Sequence, residues 1–185
     1  PDGIRAFFIK KLAMYLASPL ATIFEVSFRT HKLPKQWLES NVCPIYKKSV
    51  RNLVKNYRPV SITCACCRIM ESIIRKRLMQ YIWENNILSQ NQYGFRSKDS
   101  TCSQLLFCTN IWTMNADSKK PTDVIYFDFE KAFDTVCHEK LFLKLKSIGI
   151  KRTLIKWINA FLSNRTQKVI VNRTISNEQK VTSGV

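Results

Sequence analysis

An α+β fold, with an antiparallel sheet backed by helices, is what three observations predict. Apolar residues recur at helical spacing along several stretches of the chain. They alternate at period two along shorter stretches rich in Val, Ile, Tyr and Phe. A chain of 185 residues that is 45% hydrophobic and 11% aromatic can bury a core of its own, which separates it from disordered sequences.

In chain order, residues 4–29 read as helical, since Ile4, Phe7, Phe8, Leu12, Tyr15 and Leu16 fall near the helical period; Pro19 is expected to divide them into two helices. Residues 33–37 read as a short turn. Residues 41–48 read as a strand ending in the basic pair Lys47 and Lys48, and residues 57–62 as a second strand. The basic loop from Lys47 to Lys55 joins them, which makes a hairpin with a cationic tip. Pro44 and Pro59 mark its strands as irregular or at an edge.

Residues 68–83 give an amphipathic helix with Met70, Ile73, Ile74, Leu78, Tyr81 and Ile82 on its core face and Arg68, Arg75 and Lys76 on another. Gly94 permits a tight turn, and Ser100 or Thr101 caps an apolar helix through Leu105, Leu106, Ile111 and Trp112. After a surface turn at residues 119–121, Val124, Tyr126 and Asp128 alternate with Ile125, Phe127 and Phe129. This pattern predicts a strand buried on at least one face, with Asp128 at its end. A carboxylate in that place is costly to bury unless a divalent cation or a polar partner meets it. Leu141, Phe142, Leu145 and Ile148 give another helix, closed by Gly149; Leu154, Ile155, Ile158, Phe161 and Leu162 give the next. Residues 165–171 and 175–181 read as a hairpin.

Thirty Lys and Arg against thirteen Asp and Glu leave a formal charge of +17, which implies a polyanionic partner; a solvated Lys-rich face is the other reading of charge alone. Between residues 29 and 77 the only acids are Glu39 and Glu71, and between 140 and 180 the only one is Glu178, whereas acids outnumber bases from 78 to 139. Two basic blocks thus flank a mildly acidic one, as a protein needs if it lays cations along phosphates and gathers carboxylates around metal ions.

Seven cysteines, odd in number and irregularly spaced, fit a reducing compartment. Cys64 and Cys67 form a lone C-x-x-C with no second pair, and the histidines are His31 and His138, so zinc binding and redox chemistry are not supported. Lys10 and Lys11 interrupt the first apolar run, and the uncharged stretch 100–116 is polar throughout, which predicts neither a secretory signal nor a membrane span. The Asn164 and Asn172 glycosylation patterns are then accidental.

Asp128-Phe-Glu-Lys-Ala-Phe-Asp-Thr-Val-Cys-His138 resembles the first catalytic motif of the reverse transcriptases of non-LTR, LINE-like retrotransposons. Further likenesses follow the family's order along nearly the whole chain: Pro1-Asp-Gly-Ile, Leu33-Pro-Lys-Gln-Trp37, Pro44-Ile-Tyr-Lys-Lys48, Asn56-Tyr-Arg-Pro-Val-Ser61, Gln92-Tyr-Gly-Phe-Arg96 with Ser100-Thr101, and Ser183-Gly-Val185. Arg5 departs from the family, which often has Pro there.

The resemblance implies the fingers and partial palm of a right-hand polymerase, with residues 1–121 as the fingers region and its N-terminal helices, and 122–185 as the first part of the palm. It implies RNA-directed DNA synthesis, in which a primer 3′-hydroxyl attacks a dNTP with the help of two Mg²⁺ ions. Asp128 would hold both ions, with the backbone carbonyl of Phe129 as a further ligand. Lys47 or Lys48 and Arg58 would meet the triphosphate, although Arg58 by itself also reads as a surface arginine. Phe133 would lie beneath the sugar and exclude a 2′-hydroxyl, or be a core residue. Arg96 would contact template, or shape an ordinary loop, and Asp134 reads as structural. Implied partners are an RNA template, a DNA primer and dNTPs, with no membrane, in an intracellular setting of nucleus and cytoplasm. The family's downstream Asp-Asp turn is absent from these residues, so the chain is expected to be an N-terminal fragment, inactive alone, or else a non-catalytic nucleic-acid-binding remnant.

Overall fold

Strand β1 (Glu39–Tyr46) is the line along which the larger part of the molecule is laid. The computed structural model describes residues 2–97 and 99–184; Pro1 and Val185, the outermost residues of the family-like motifs, lie outside the described residues. The chain forms two compact units, one of Pro1–Lys76 with Lys131–Val185 and one of Arg77–Glu130.

In the larger unit, β1 pairs antiparallel with β2 (Tyr57–Ile62) in the register Ile45 to Arg58 and Tyr46 to Tyr57, so the expected hairpin forms. Pro44 faces Pro59 in this ladder. Facing prolines fit only a non-hydrogen-bonded pair, whose backbone nitrogens point out of the ladder, and β2 is an edge strand. On its other side β1 runs parallel to β3 (Thr166–Val171), from Glu39 opposite Thr166 to Val42 opposite Val169. The short strands β4 (Thr174–Ile175) and β5 (Gln179–Lys180) both pair antiparallel with β3. The sheet is therefore mixed, not antiparallel as the sequence suggested. Alternation within a strand reports which residues share a face but not which strand lies beside it, and the β1–β3 pairing joins segments far apart in the chain.

Helices α1 (Ala6–Lys11), α2 (Ala13–Thr30) and α3 (Lys35–Leu38) precede β1. The break expected at Pro19 falls instead at Leu12, and Pro19 lies inside α2. Proline there removes the bond to the Tyr15 carbonyl, but Tyr15 is exposed, so water can satisfy that group while Phe24 and Ser27 hold the helix from its buried side. Helices α6 (His138–Ser147) and α7 (Arg152–Leu162) lead into β3. At the end of α6, Gly149 (φ +83°) donates to the Lys146 carbonyl at 3.1 Å and Ile150 to the Leu145 carbonyl at 3.1 Å. This paired C-cap needs a left-handed residue, which is why Gly149 marks the end.

The core of this unit gathers Phe24, Trp37, Cys64, Cys67, Met70 and Trp157. Trp157 is 2% exposed, stacks on Phe161 with ring centroids 5.3 Å apart, and donates from Nε1 to the buried Ser27 hydroxyl at 3.2 Å. Helix α4 (Ala65–Glu84) enters the core through Ala65, Cys67 and Met70. Its predicted core face does not continue: Ile73 is 47% exposed, and Ile74, Leu78, Tyr81 and Ile82 are half-buried. Periodicity defines a face, but the depth of burial depends on what packs against it.

The smaller unit contains α5 (Thr101–Asp117), capped as expected at Ser100, whose hydroxyl accepts from the Ser103 N–H at 3.1 Å while the Ser103 hydroxyl accepts from the Ser100 N–H at 2.8 Å. The strand predicted from Val124 to Phe129 does not form: residues 121–129 have no regular structure, and Phe127 is 88% exposed. A strand pattern expresses a preference, whereas a strand needs a partner for its N–H and C=O groups, and no described segment pairs with this one. Among the described residues no helix is long and apolar enough to cross a membrane.

Trp157→Ala is expected to destabilise the chain by about 3–5 kcal/mol, because it empties the core and frees the Ser27 hydroxyl. Trp157→Phe keeps an aromatic on Phe161 but leaves Ser27 without its donor, so a smaller loss of about 1–3 kcal/mol is expected. Urea-induced unfolding of the three chains checks both values.

Candidate nucleic-acid interface

The β1–β2 hairpin is ordered to its tip by a small set of side chains. Tyr46 and Tyr57 face each other edge-on with centroids 5.7 Å apart. The Tyr57 hydroxyl donates to the Arg51 carbonyl at 2.8 Å, the Tyr46 hydroxyl to that of Ser49, and Asn56 Nδ2 to that of Val50 at 2.6 Å. Arg51 lies over the Tyr46 ring, 5.1 Å from its centroid. One turn of 3₁₀ helix at Val54–Asn56 returns the chain, and the Lys47 N–H continues the ladder to the Asn56 carbonyl at 2.8 Å.

This register decides which cations meet. Arg58 faces Ile45, and Lys47, two residues beyond Ile45, projects from the same face as a diagonal neighbour of Arg58. Lys48 follows at the turn. All three are exposed, and none has a carboxylate partner among the described residues. Unpaired cations held close on a preformed loop repel one another, and a phosphate placed between them removes that repulsion.

The opposite face of the hairpin, where Pro59 and Ser61 project, borders a groove of about 670 Å³. Arg68, Arg165 and Lys180 supply it with positive charge, and Glu71 and Asp134 with negative. Arg165 is fixed over the Phe161 ring at 4.8 Å, on top of the Trp157–Phe161 stack. Glu71 accepts hydrogen bonds from the Thr63 hydroxyl at 3.3 Å and the Cys67 thiol at 3.1 Å. Burial first, then the hydrogen bond and charge of Glu71, push the Cys67 thiol well above its ordinary range, and burial raises Cys64 as well. The C-x-x-C cysteines are buried core thiols, with the protonated form favoured by that burial.

Arg96, the expected template contact, lies in the smaller unit and is heavily engaged. Its Nη1 donates to the carbonyls of Ser89 (3.2 Å), Gln90 (3.1 Å) and Gln92 (3.2 Å), its Nε pairs with Asp99 at 2.9 Å, and its guanidinium covers the Trp83 ring at 4.9 Å. The planar fork gathers the loop around itself. Nothing in the Gly-Phe-Arg triplet announced this, since the acceptors are backbone carbonyls.

Asp128 and Phe129 stand in the same unit, on the exposed segment without regular structure. Among the described residues no three His, Cys, Asp or Glu side chains converge as a metal site would require. A single carboxylate cannot hold two divalent ions against their mutual repulsion, so the residues present do not fit a two-metal centre. Phe133 and Asp134 lie in the larger unit, in a turn closed by bonds from the Asp134 and Thr135 N–H groups to the Lys131 carbonyl at 2.9 and 3.1 Å. Phe133 is 58% exposed.

The sequence reading assigned no role to the contacts this turn makes. His138 Nε2 lies 2.7 Å from the Gly184 carbonyl, the Gly184 N–H donates to the Val136 carbonyl at 3.2 Å, and the Ser183 hydroxyl donates to the Asp134 carbonyl at 3.0 Å. Both His138 and the Ser-Gly pair lay within recognised motifs, which was the available signal.

The family model described as reverse transcriptase (RNA-dependent DNA polymerase) matches residues 45–185. The chain is 28% identical over 185 residues, all of its length and 20% of the relative's, to a probable RNA-directed DNA polymerase from transposon BS of Drosophila melanogaster. It is 29% identical over 167 residues, 90% of its length and 18% of the relative's, to the RNA-directed DNA polymerase from mobile element jockey of the same organism. Over 139 residues, 75% of its length and 19% of the relative's, it is 27% identical to the retrovirus-related Pol polyprotein from type-1 retrotransposable element R2 of Popillia japonica. The chain thus spans about a fifth of the length of these curated relatives.

Arg96→Ala is expected to lower the local opening free energy of the loop by about 1–3 kcal/mol, seen as faster amide hydrogen exchange between residues 89 and 99. Arg96→Lys should not restore protection, because an ammonium cannot reproduce the planar fork.

Proposed function

The chain belongs to the reverse transcriptase family, in the branch of non-LTR, LINE-like retrotransposons, and from that premise we propose that it forms the fingers and first part of the palm of an RNA-directed DNA polymerase. The fingers region is residues 1–121 and the partial palm 122–185, in a right-hand polymerase whose complete form extends a DNA primer with dNTPs on an RNA template. These substrates make the setting intracellular, nuclear or cytoplasmic.

The observation that carries this reading is the ordered hairpin with Lys47 and Arg58 on one face and Lys48 beside them, without carboxylate partners among the described residues. In the proposed role they grip the phosphates of the incoming nucleotide, where a planar fork and a point charge offset the charge of a transferring phosphoryl group. A tip already ordered by Tyr46, Tyr57 and Asn56 loses little further entropy on binding. Phe133 is the candidate support for the sugar. Arg96, with Nη1 donating to the Ser89, Gln90 and Gln92 carbonyls and its charge paired with Asp99, serves template binding by shaping the loop that meets the strand.

The family implies dependence on a divalent metal, which we take to be Mg²⁺; such a metal would supply charge stabilisation to the displacement. Asp128 and the Phe129 carbonyl are this chain's candidate contributions. The remaining carboxylates are not among the described residues, so these residues alone do not assemble the reaction centre.

Binding of a dNTP across a salt series tests the role of the hairpin. Affinity should fall as salt rises, and Lys47→Gln and Arg58→Gln should each weaken binding at low salt and flatten the slope of that dependence. Variants that keep both the affinity and the slope of the parent would take the hairpin out of the interface.

A further inference from the structure

We propose that His138, Ser183 and Gly184 form a clasp that fixes the place of the Phe133 turn, and so act as positioning residues for the sugar selectivity assigned to Phe133. The inference rests on that assignment. The turn has a local shape of its own through the bonds to the Lys131 carbonyl, with Lys131 itself at φ +50°. Local bonds set shape and leave placement to longer contacts. Those come from the segment at Ser183 and Gly184, 49 positions from Asp134 in the Ser183 bond and 46 from His138 in the Gly184 bond.

Gly184 is the centre of the clasp. It is buried, its φ is +88°, and a Cβ there would lie 3.0 Å from the Asp134 Cα, 3.0 Å from the Phe133 carbonyl oxygen and 3.1 Å from that of Asp134. Any other residue would both strain the backbone and push against the backbone of Phe133 and Asp134, which has no flexible end to yield. Its N–H and C=O are then both used: the first on Val136, the second on His138 Nε2. A carbonyl can only accept, so His138 donates from Nε2, and does so whether the ring is neutral or protonated. Ser183 adds the bond to the Asp134 carbonyl. The bonds meet the chain at Asp134, Val136 and His138, directly after Phe133, so a slack clasp moves the ring without removing any group from it.

Two measurements on the 185-residue chain test this, with thermal unfolding confirming that each variant is folded. In amide hydrogen exchange, His138→Ala, Ser183→Ala and Gly184→Ala should each raise exchange at residue 184, whose N–H is bonded to Val136, about fivefold, and His138→Gln, which keeps an N–H of similar reach, should restore protection. In titrations with dATP and ATP, the clasp variants should lose the preference for dATP by about the same factor as Phe133→Ala. If Phe133→Ala removes the preference and the clasp variants keep it, the positioning role is overturned and the Phe133 assignment stands. If Phe133→Ala itself leaves the preference intact, the assignment fails and carries the inference with it. Unchanged exchange in the clasp variants would overturn the clasp directly.

Discussion

The parallel pairing of β1 with β3 is the constraint on which the larger unit depends. A parallel pair cannot be closed by a tight turn, so the chain has to leave β1 and return alongside it, and here α6 and α7 make the return. The Ser40 hydroxyl marks the join, buried and bonded to the Thr166 carbonyl at 3.3 Å across 126 positions of sequence. Trp157 seals it from the helical side, tying α7 to α2 through Ser27. Once β3 is in place, the segment beyond it can reach the Phe133 turn, and the groove beside β1 and β2 gains Arg165 and Lys180. The hairpin that presents Lys47 and Arg58 is thus rooted in the core while its tip stands in solvent.

Charge and order divide the labour within that hairpin. Lys47, Lys48 and Arg58 add nothing to folding, since like charges without acidic neighbours repel; the order of the tip comes from Tyr46, Tyr57 and Asn56, which bond to its backbone, and from Arg51 over the Tyr46 ring. The same separation holds around Arg96, with the opposite outcome. There the cation itself is the organiser, and its Nη1 group is occupied by carbonyls of the loop. A basic residue in a motif can therefore be a contact or a scaffold, and its hydrogen-bond partners decide which.

What the sequence made legible was local. The hairpin, the cap at Ser100 and the closing Gly149 rest on signals contained within a few residues, and each is present as expected. What it did not make legible depends on partners. The alternation at residues 124–129 expresses strand preference, yet with no described strand beside it the segment stays exposed. The α4 face is apolar throughout but buried only near its start, and the neighbour of β1 on its second side could not be read from β1 itself. Pro19 misled because a proline whose lost acceptor faces water does not end a helix. Of the candidate site, the register brings Lys47 and Arg58 to one face, while the clasp at Gly184 needed the fold to become visible.

The central proposal is that this chain carries the substrate-gripping part of a reverse transcriptase and one carboxylate of its reaction centre. Primer extension on an RNA template, with dNTPs and Mg²⁺ supplied, tests it most directly. The account predicts incorporation no greater than that of Asp128→Ala, under conditions where the hybrid is bound. Incorporation above background that Asp128→Ala abolishes would contradict it, because the described residues would then be assembling a complete centre.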